Sequence, residues 1–239
     1  MAKIIKTKSF ELAVLEEGSK EASKIALVLP GRLDTKDYVH MTSHVNFLAS
    51  CGFYAVSFDP PFSWESPGDI VNYNTTNYIK AVNELIEYFG NKPTLLAGHS
   101  RGGAVAILAG ADNKNVNAIV PIMATYGAPS SPSEKDIKVG AHVSFRDLPP
   151  GDRKTDEQRK FVLPLSYFDD GQKYNPAETL KRFTGPKLLV YGTEDEFTTP
   201  ERVKEVFETL ADPKTLIELA CDHDYRYRPE MIERVNKAI

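Results

Sequence analysis

The sequence has little cysteine, little tryptophan and no long apolar run. Its 239 residues include two cysteines, Cys51 and Cys221, far apart in the chain. Neither has a partner at metal-ligand or redox spacing, which leaves two unpaired, buried thiols in a reducing compartment as the expectation. No apolar stretch approaches the roughly 20 residues needed to span a bilayer. The start, Met-Ala-Lys-Ile-Ile-Lys, has no apolar h-region and no cleavage site, so no signal peptide and a cytoplasmic location are expected. Positive charge is not in excess either. With 29 Lys and Arg against 33 Asp and Glu, the net charge is −4, and no basic footprint for nucleic acid appears. What is present, 41% hydrophobic and 26% charged residues, suits one globular domain over 1–239 that needs no staples. No feature specifies an oligomeric state.

Short β-branched apolar runs alternate with segments of helical period, the pattern of βαβ units in a three-layer α/β/α sandwich around a mostly parallel eight-stranded sheet. Strands are expected at 10–15, 24–29, 53–58, 94–97, 117–123, 187–191 and 215–219. The first two, with a turn at 16–19 between them, suggest an antiparallel edge. Met41, Val45 and Leu48 fall at helical spacing before Gly52, and Tyr78, Val82, Leu85 and Phe89 do so before Gly90. Further helices are expected from Gly103, around Val203–Leu210 and around Met231–Ile239. From Gly127 to Thr184 no clean strand is legible and proline recurs. A loop of that length without its own structure is unusual, so an inserted cap or lid at 127–184 is expected.

The run Gly98-His99-Ser100-Arg101-Gly102 joins the strand at 94–97 to an Ala-rich helix. A serine on a sharp strand-to-helix turn needs small residues two before and two after it, and Gly103 adds room. A phosphate-binding turn is the competing interpretation, but neither G-x-x-x-x-G-K-[ST] nor G-x-G-x-x-G is present. Through this motif and its setting the chain resembles the α/β-hydrolase family, in particular its small serine esterases, lipases and serine peptidases. The resemblance covers all but 127–184 well.

The resemblance implies a nucleophile, an acid and a histidine in that chain order. Ser100 takes the first place. Gly192-Thr193-Glu194-Asp195 resembles the family's acid loop and puts Asp195 second, with Glu194 and Glu196 open as alternatives. Ala220-Cys221-Asp222-His223 resembles the late histidine loop, and His223 is the only histidine after Asp195; a plain surface histidine is the other reading. His99 is expected to pack beneath the turn. His40 and His44, four apart on one helix but without a third ligand, are expected to face solvent.

An acyl transfer needs donors aimed at the developing oxyanion. By the resemblance these are the backbone N–H groups of Arg101 and of Arg32 in Pro30-Gly31-Arg32-Leu33, with Leu33 in reserve. Pro30 departs from the family's usual His-Gly. The Arg32 guanidinium could hold a substrate carboxylate, or simply face solvent or pair with Asp34 or Asp59. Leu33, Phe62, Trp64, His142 and Phe145 are candidate pocket residues, the two aromatics at 62 and 64 equally able to pack against the cap. The charged run 151–160 reads as a solvated helix face, and Phe145, Phe161, Leu163, Tyr167 and Phe168 could supply a lid's apolar underside.

Together these readings imply a serine hydrolase that cleaves a small-molecule carboxylic ester or related acyl bond through an acyl-enzyme. That chemistry requires no metal or organic cofactor. Peptidase, thioesterase or acyltransferase activity would use the same residues, because the pocket and not the scaffold sets the substrate. A non-catalytic binding protein on the same scaffold is the rival from a different class.

Overall fold

Eight strands form one sheet, and the order in which they pair decides where the turn at Ser100 lies. The computed structural model describes residues 2–127 and 131–239. In chain order the elements begin β1 (Lys3–Lys6), β2 (Glu11–Glu17), β3 (Ile25–Leu29), α1 (Val39–Ser50), β4 (Tyr54–Phe58) and α2 (Thr75–Tyr88). Next come β5 (Thr94–His99), α3 (Arg101–Gly110), β6 (Val116–Ile122), α4 (Glu134–Val139), β7 (Ala141–Asp147) and β8 (Gln158–Pro164). The last are α5 (Ser166–Gly171), α6 (Pro176–Leu180), β9 (Lys187–Gly192), α7 (Pro200–Glu208), β10 (Lys214–Leu219) and α8 (Pro229–Ala238).

The sheet runs β1-β2-β4-β3-β5-β6-β9-β10. Its pairs from β4 to β10 are parallel, while β1 with β2 and β2 with β4 are antiparallel. The antiparallel edge therefore exists, but β2 and β3 are not a hairpin. Every residue of β3 is buried, and it takes a parallel neighbour on each side. β1, unread in the sequence, is four residues long and buries only Ile5.

Side-chain alternation along each strand feeds two cores. Ile25, Leu27 and Leu29 belong to the core that residues of α2, α3 and α7 complete, whereas Ala26 and Val28 belong to the one completed by α1 and α8. Each such leucine or isoleucine, fully buried, contributes about 1.5–3 kcal/mol. The stripe Tyr78-Val82-Leu85 lies in the first core, and Asn74 caps α2 by accepting from the Asn77 N–H. Met41, Val45 and Leu48 lie in the second.

Between β6 and β9, where no strand was expected, β7 and β8 make a two-stranded antiparallel sheet. The reason for the miss is an inverted pattern. Val143, Phe145 and Val162 point outward and are exposed, while the half-buried positions of β7 include His142, Ser144 and Arg146. The run 151–160 is not a helix either: 151–157 are loop and 158–160 open β8. Of the five residues expected on a lid's underside, Phe161, Leu163, Tyr167 and Phe168 form an apolar cluster with Leu33 and Tyr73, whereas Phe145 is exposed on the outer face of the hairpin. Residues 128–130 of the expected cap at 127–184 lie outside the described residues. Among the described residues no helix is long and apolar enough to cross a membrane.

His40 and His44 do not face solvent; both are 0% exposed. The reason lies on α8 and the loop before it. His44 Nδ1 lies 2.6 Å from Asn236 Oδ1 and its Nε2 lies 2.7 Å from the Tyr225 hydroxyl. The amide oxygen only accepts, so Nδ1 carries the proton and Nε2 accepts from Tyr225. Cys51 is exposed and Cys221 buried, with no disulfide between them.

Burial brings the His44 imidazole down to about 4. An unfolded chain binds that proton near pH 6.5. The stability carried by neutral His44 is therefore complete above about pH 6.5 and is lost as the pH falls toward 4, by about 3 kcal/mol in all. Urea unfolding of wild type and His44→Gln between pH 4 and 7 should show a shallower acid branch in the variant; parallel curves would contradict this.

Candidate active site

β5 ends at His99 and α3 begins at Arg101, so Ser100 alone makes the turn between strand and helix. It has φ 54° and ψ −118°, a conformation that costs an L-residue energy and needs enforcing. Enforcement comes from both sides. The Ser100 N–H donates to Ile122 O at 2.8 Å, and the Ala104 N–H donates to Ser100 O at 3.1 Å. A Cβ at Gly98 would collide with the Gly102 backbone, one at Gly102 with the Leu29 carbonyl, and one at Gly103 would lie 2.7 Å from the Ala124 methyl. The glycines thus let β5, α3 and the end of β3 approach to backbone contact.

His223, in the loop after β10, places Nε2 2.8 Å from Ser100 Oγ. Its Nδ1 lies 3.0 and 3.1 Å from the two carboxylate oxygens of Asp195. A carboxylate accepts, so the proton is on Nδ1 and Nε2 is free to accept from the serine hydroxyl. Asp195 sits in the turn after β9, where its Oδ1 also accepts the N–H groups of Phe197 and Thr198 at 2.8 and 3.0 Å. Burial alone would raise this carboxyl; the His223 hydrogen bond and those two N–H groups outweigh it and hold it below the usual range. Glu194 and Glu196 are exposed and point elsewhere. Phe197, which the sequence offered no reason to choose, is 68% exposed with its ring 4.7 Å from that of His223.

The loop at 30–34 is held at nearly every polar atom. The Tyr78 hydroxyl donates to Pro30 O at 3.1 Å, Asp34 N–H to Gly31 O at 3.2 Å, and Arg146 Nε to Arg32 O at 3.0 Å. Leu33, at φ 59°, donates its N–H to the Tyr73 hydroxyl at 2.7 Å and accepts from Trp64 Nε1 at 2.8 Å. The reserve donor Leu33 is therefore committed. Among the described residues the N–H groups of Arg32 and Arg101 have no hydrogen-bond acceptor. The Arg101 guanidinium is buried between the rings of Tyr73 and Tyr167, 4.6 and 4.7 Å from their centroids.

The other expected pocket residues disperse. A cleft of ≈ 420 Å³ beside the loop is lined by Arg32, Lys135, Asp136, His142 and Phe168 among others; Ser100 and His223 do not line it. His142 is there, within 3.2 Å of Asp136. Arg32 makes no ion pair with Asp34 or Asp59; Asp34 lies 3.6 Å from His99 Nδ1 and 3.7 Å from Arg146 Nε, and Asp59 3.6 Å from Lys36 Nζ. Leu33 is fully buried, Phe62 packs edge-on to Phe10 in the core, and Trp64 is spent on the Leu33 carbonyl and Phe161. Phe145 belongs to the outward face of the hairpin. For Leu33, Phe62 and Trp64 a backbone or core partner claims the side chain first.

Asp34, His40 and His99 bring one potential ligand atom each within 4.8 Å of one another. A dication there would face the Arg146 guanidinium, whose Nε is already 3.7 Å from the Asp34 carboxylate. Burial pushes the Cys221 thiol up to about 11, so it stays protonated at neutral pH and does not compete as a nucleophile.

A parallel-sheet sandwich whose central strand ends in a strained serine, with a histidine and an aspartate aligned behind its hydroxyl, defines a hydrolase-type scaffold. The model of the alpha/beta hydrolase family matches residues 26–237, and the chain belongs to that family. It is 20% identical over 210 residues to the mouse (Mus musculus) palmitoyl-protein thioesterase ABHD10, mitochondrial, covering 84% of this chain and 69% of that one. Est1E of Butyrivibrio proteoclasticus, solved with ferulic acid, superposes with a TM-score of 0.77 at 18% identity over 99% of this chain and 97% of its own. A monoacylglycerol lipase of Paleococcus ferrophilus gives 0.72 at 21% identity over 95% and 96%.

The Tyr73 hydroxyl is the acceptor that keeps Leu33 in its positive-φ conformation. Tyr73→Phe leaves that buried N–H unpaired, which costs about 1–3 kcal/mol. Chemical denaturation should show the midpoint falling with an unchanged slope; an unmoved midpoint would mean that the hydroxyl carries no such load.

Proposed function

We propose that this protein is a serine hydrolase that cleaves a carboxylic ester or related acyl bond of a small molecule through an acyl-enzyme. The observation that carries this reading is the continuous line from Ser100 Oγ through the His223 ring to Asp195, with contacts of 2.8 and 3.0 Å. A serine hydroxyl is a weak nucleophile until a base takes its proton. His223 Nε2 takes it as Oγ attacks the acyl carbon, and Asp195 stabilises the imidazolium that forms. The oxyanion accepts from the N–H groups of Arg101 and Arg32, each otherwise without a partner among the described residues. His223 then protonates the leaving group, and water activated by the same ring releases the acid. Every step uses side chains and backbone of this chain.

The segment 127–184 acts in this reading as the cap that shapes the substrate site, and its residues His142 and Phe168 meet Arg32 in the cleft beside the loop. A thioester is the alternative acyl donor, favoured by the name of the mouse relative. That relative is named as mitochondrial, so it lends no weight to a cytoplasmic location.

Ser100→Ala should abolish covalent labelling by a fluorophosphonate probe while far-UV and near-UV circular dichroism stay unchanged. Labelling that persists in the variant would refute the assignment. A p-nitrophenyl ester series and an acyl-thioester series, compared by kcat/KM, would then separate the two acyl classes.

A further inference from the structure

Behind the Ser100–His223–Asp195 line lies a second buried pair, Asp34 and His99, that the proposed reaction does not use. His99 is the last residue of β5 and precedes Ser100. Its Nε2 is 3.0 Å from the backbone carbonyl of His223. That carbonyl only accepts, so Nε2 carries a proton and donates it. The other nitrogen, Nδ1, has no hydrogen-bond partner among the described residues and faces Asp34 Oδ2 at 3.6 Å. The ring is 2% exposed and lies 4.9 Å from the His223 ring and 5.2 Å from Tyr225.

Asp34 stands two residues beyond Arg32. Its N–H closes the loop onto Gly31 O, and its Oδ1 faces Arg146 Nε at 3.7 Å. Burial alone would raise this carboxyl; His99, Arg146 and Arg226 reverse that and take it far below the usual carboxylate range. Burying a carboxylate and an imidazole costs more than burying apolar residues of equal volume, so packing alone does not call for these two. Their contacts reach three separate loops: the oxyanion loop through Asp34, the serine turn through His99, and the histidine loop through the His223 carbonyl.

We propose that Asp34 and His99 are positioning residues, which hold the backbone of His223 and the oxyanion loop in fixed relation to Ser100. His99 grips the His223 carbonyl from behind while His223 uses both ring nitrogens in front. Asp34 holds the face of His99 opposite that grip. The inference rests on the serine-hydrolase reading of the site.

Three variants of the full chain test it: His99→Phe, which keeps an aromatic ring without a donor; His99→Gln, whose amide N–H can reach the same carbonyl; and Asp34→Asn. The readouts are the maximal rate of fluorophosphonate labelling, the probe concentration at half-saturation, and the downfield NMR signal of the His223 Nδ1 proton. His99→Phe should lower the maximal rate about 10–100-fold with half-saturation little changed, as expected for misplaced reacting groups. His99→Gln should recover most of that loss, and Asp34→Asn should fall between the two. The proton signal should shift in His99→Phe and not in His99→Gln. Wild-type rates in His99→Phe, or a His99→Gln as slow as His99→Phe, would overturn the proposal. Should His99→Phe fail to fold, a wild-type rate and unshifted signal in Asp34→Asn would overturn it equally. An unlabelled wild type would instead defeat the hydrolase reading, and the proton signal, which needs no turnover, would still report on the pair.

Discussion

A serine at φ 54° persists only where its surroundings leave the backbone no alternative, and most of this fold serves that end. β3, β5 and β6 run parallel and side by side, so the turn after β5 is flanked by the ends of two neighbours. β6 supplies the acceptor for the Ser100 N–H, and β3 supplies the carbonyl wall that only a glycine at 102 can face. The loop that β3 runs into then carries Arg32 to the same end of the sheet. Sheet order, glycine placement and the location of the site are three expressions of one constraint.

The polar interior follows a related economy. Buried polar groups are costly unless paired. Here many of the pairings connect loops that the sheet leaves separate. Arg146 and Trp64 anchor carbonyls of the loop at 30–34, and Asp147 on β7 receives Arg226 and Tyr227 from the loop that carries His223. Hydrogen bonds from Phe197 and Thr198 orient the Asp195 carboxylate within its own turn.

Much of this was legible in the sequence because it rests on local rules. Strand and helix periods located the main sheet, and Gly98, Gly102 and Gly103 marked the turn at Ser100. Asp195 and His223 could be chosen from their loops and order. What was hidden depends on contacts between residues distant in the chain. His40 and His44 read as a solvent-facing pair until α8 and Tyr225 closed over them. The hairpin β7–β8 hid its period by turning valine and phenylalanine outward, against the usual rule. Phe62 and Trp64 carried the aromatic signal of a pocket wall, but core and backbone partners claim them. Asp34 had no signature at all, since a single aspartate after a glycine-arginine-leucine run reads as an ordinary turn residue.

The grip of Arg146 on the loop at 30–34 makes the hairpin more than a cover. One guanidinium answers both the Arg32 carbonyl and the Asp34 carboxylate. If β7 moved away as a body, it would strip a donor from the peptide unit following the proposed oxyanion N–H and a counter-charge from the buried acid together. Moving the hairpin as a body and keeping the loop at 30–34 in place are then competing demands, so any opening of this segment has to come from side chains such as Phe168 and His142 rather than from hinging the strands.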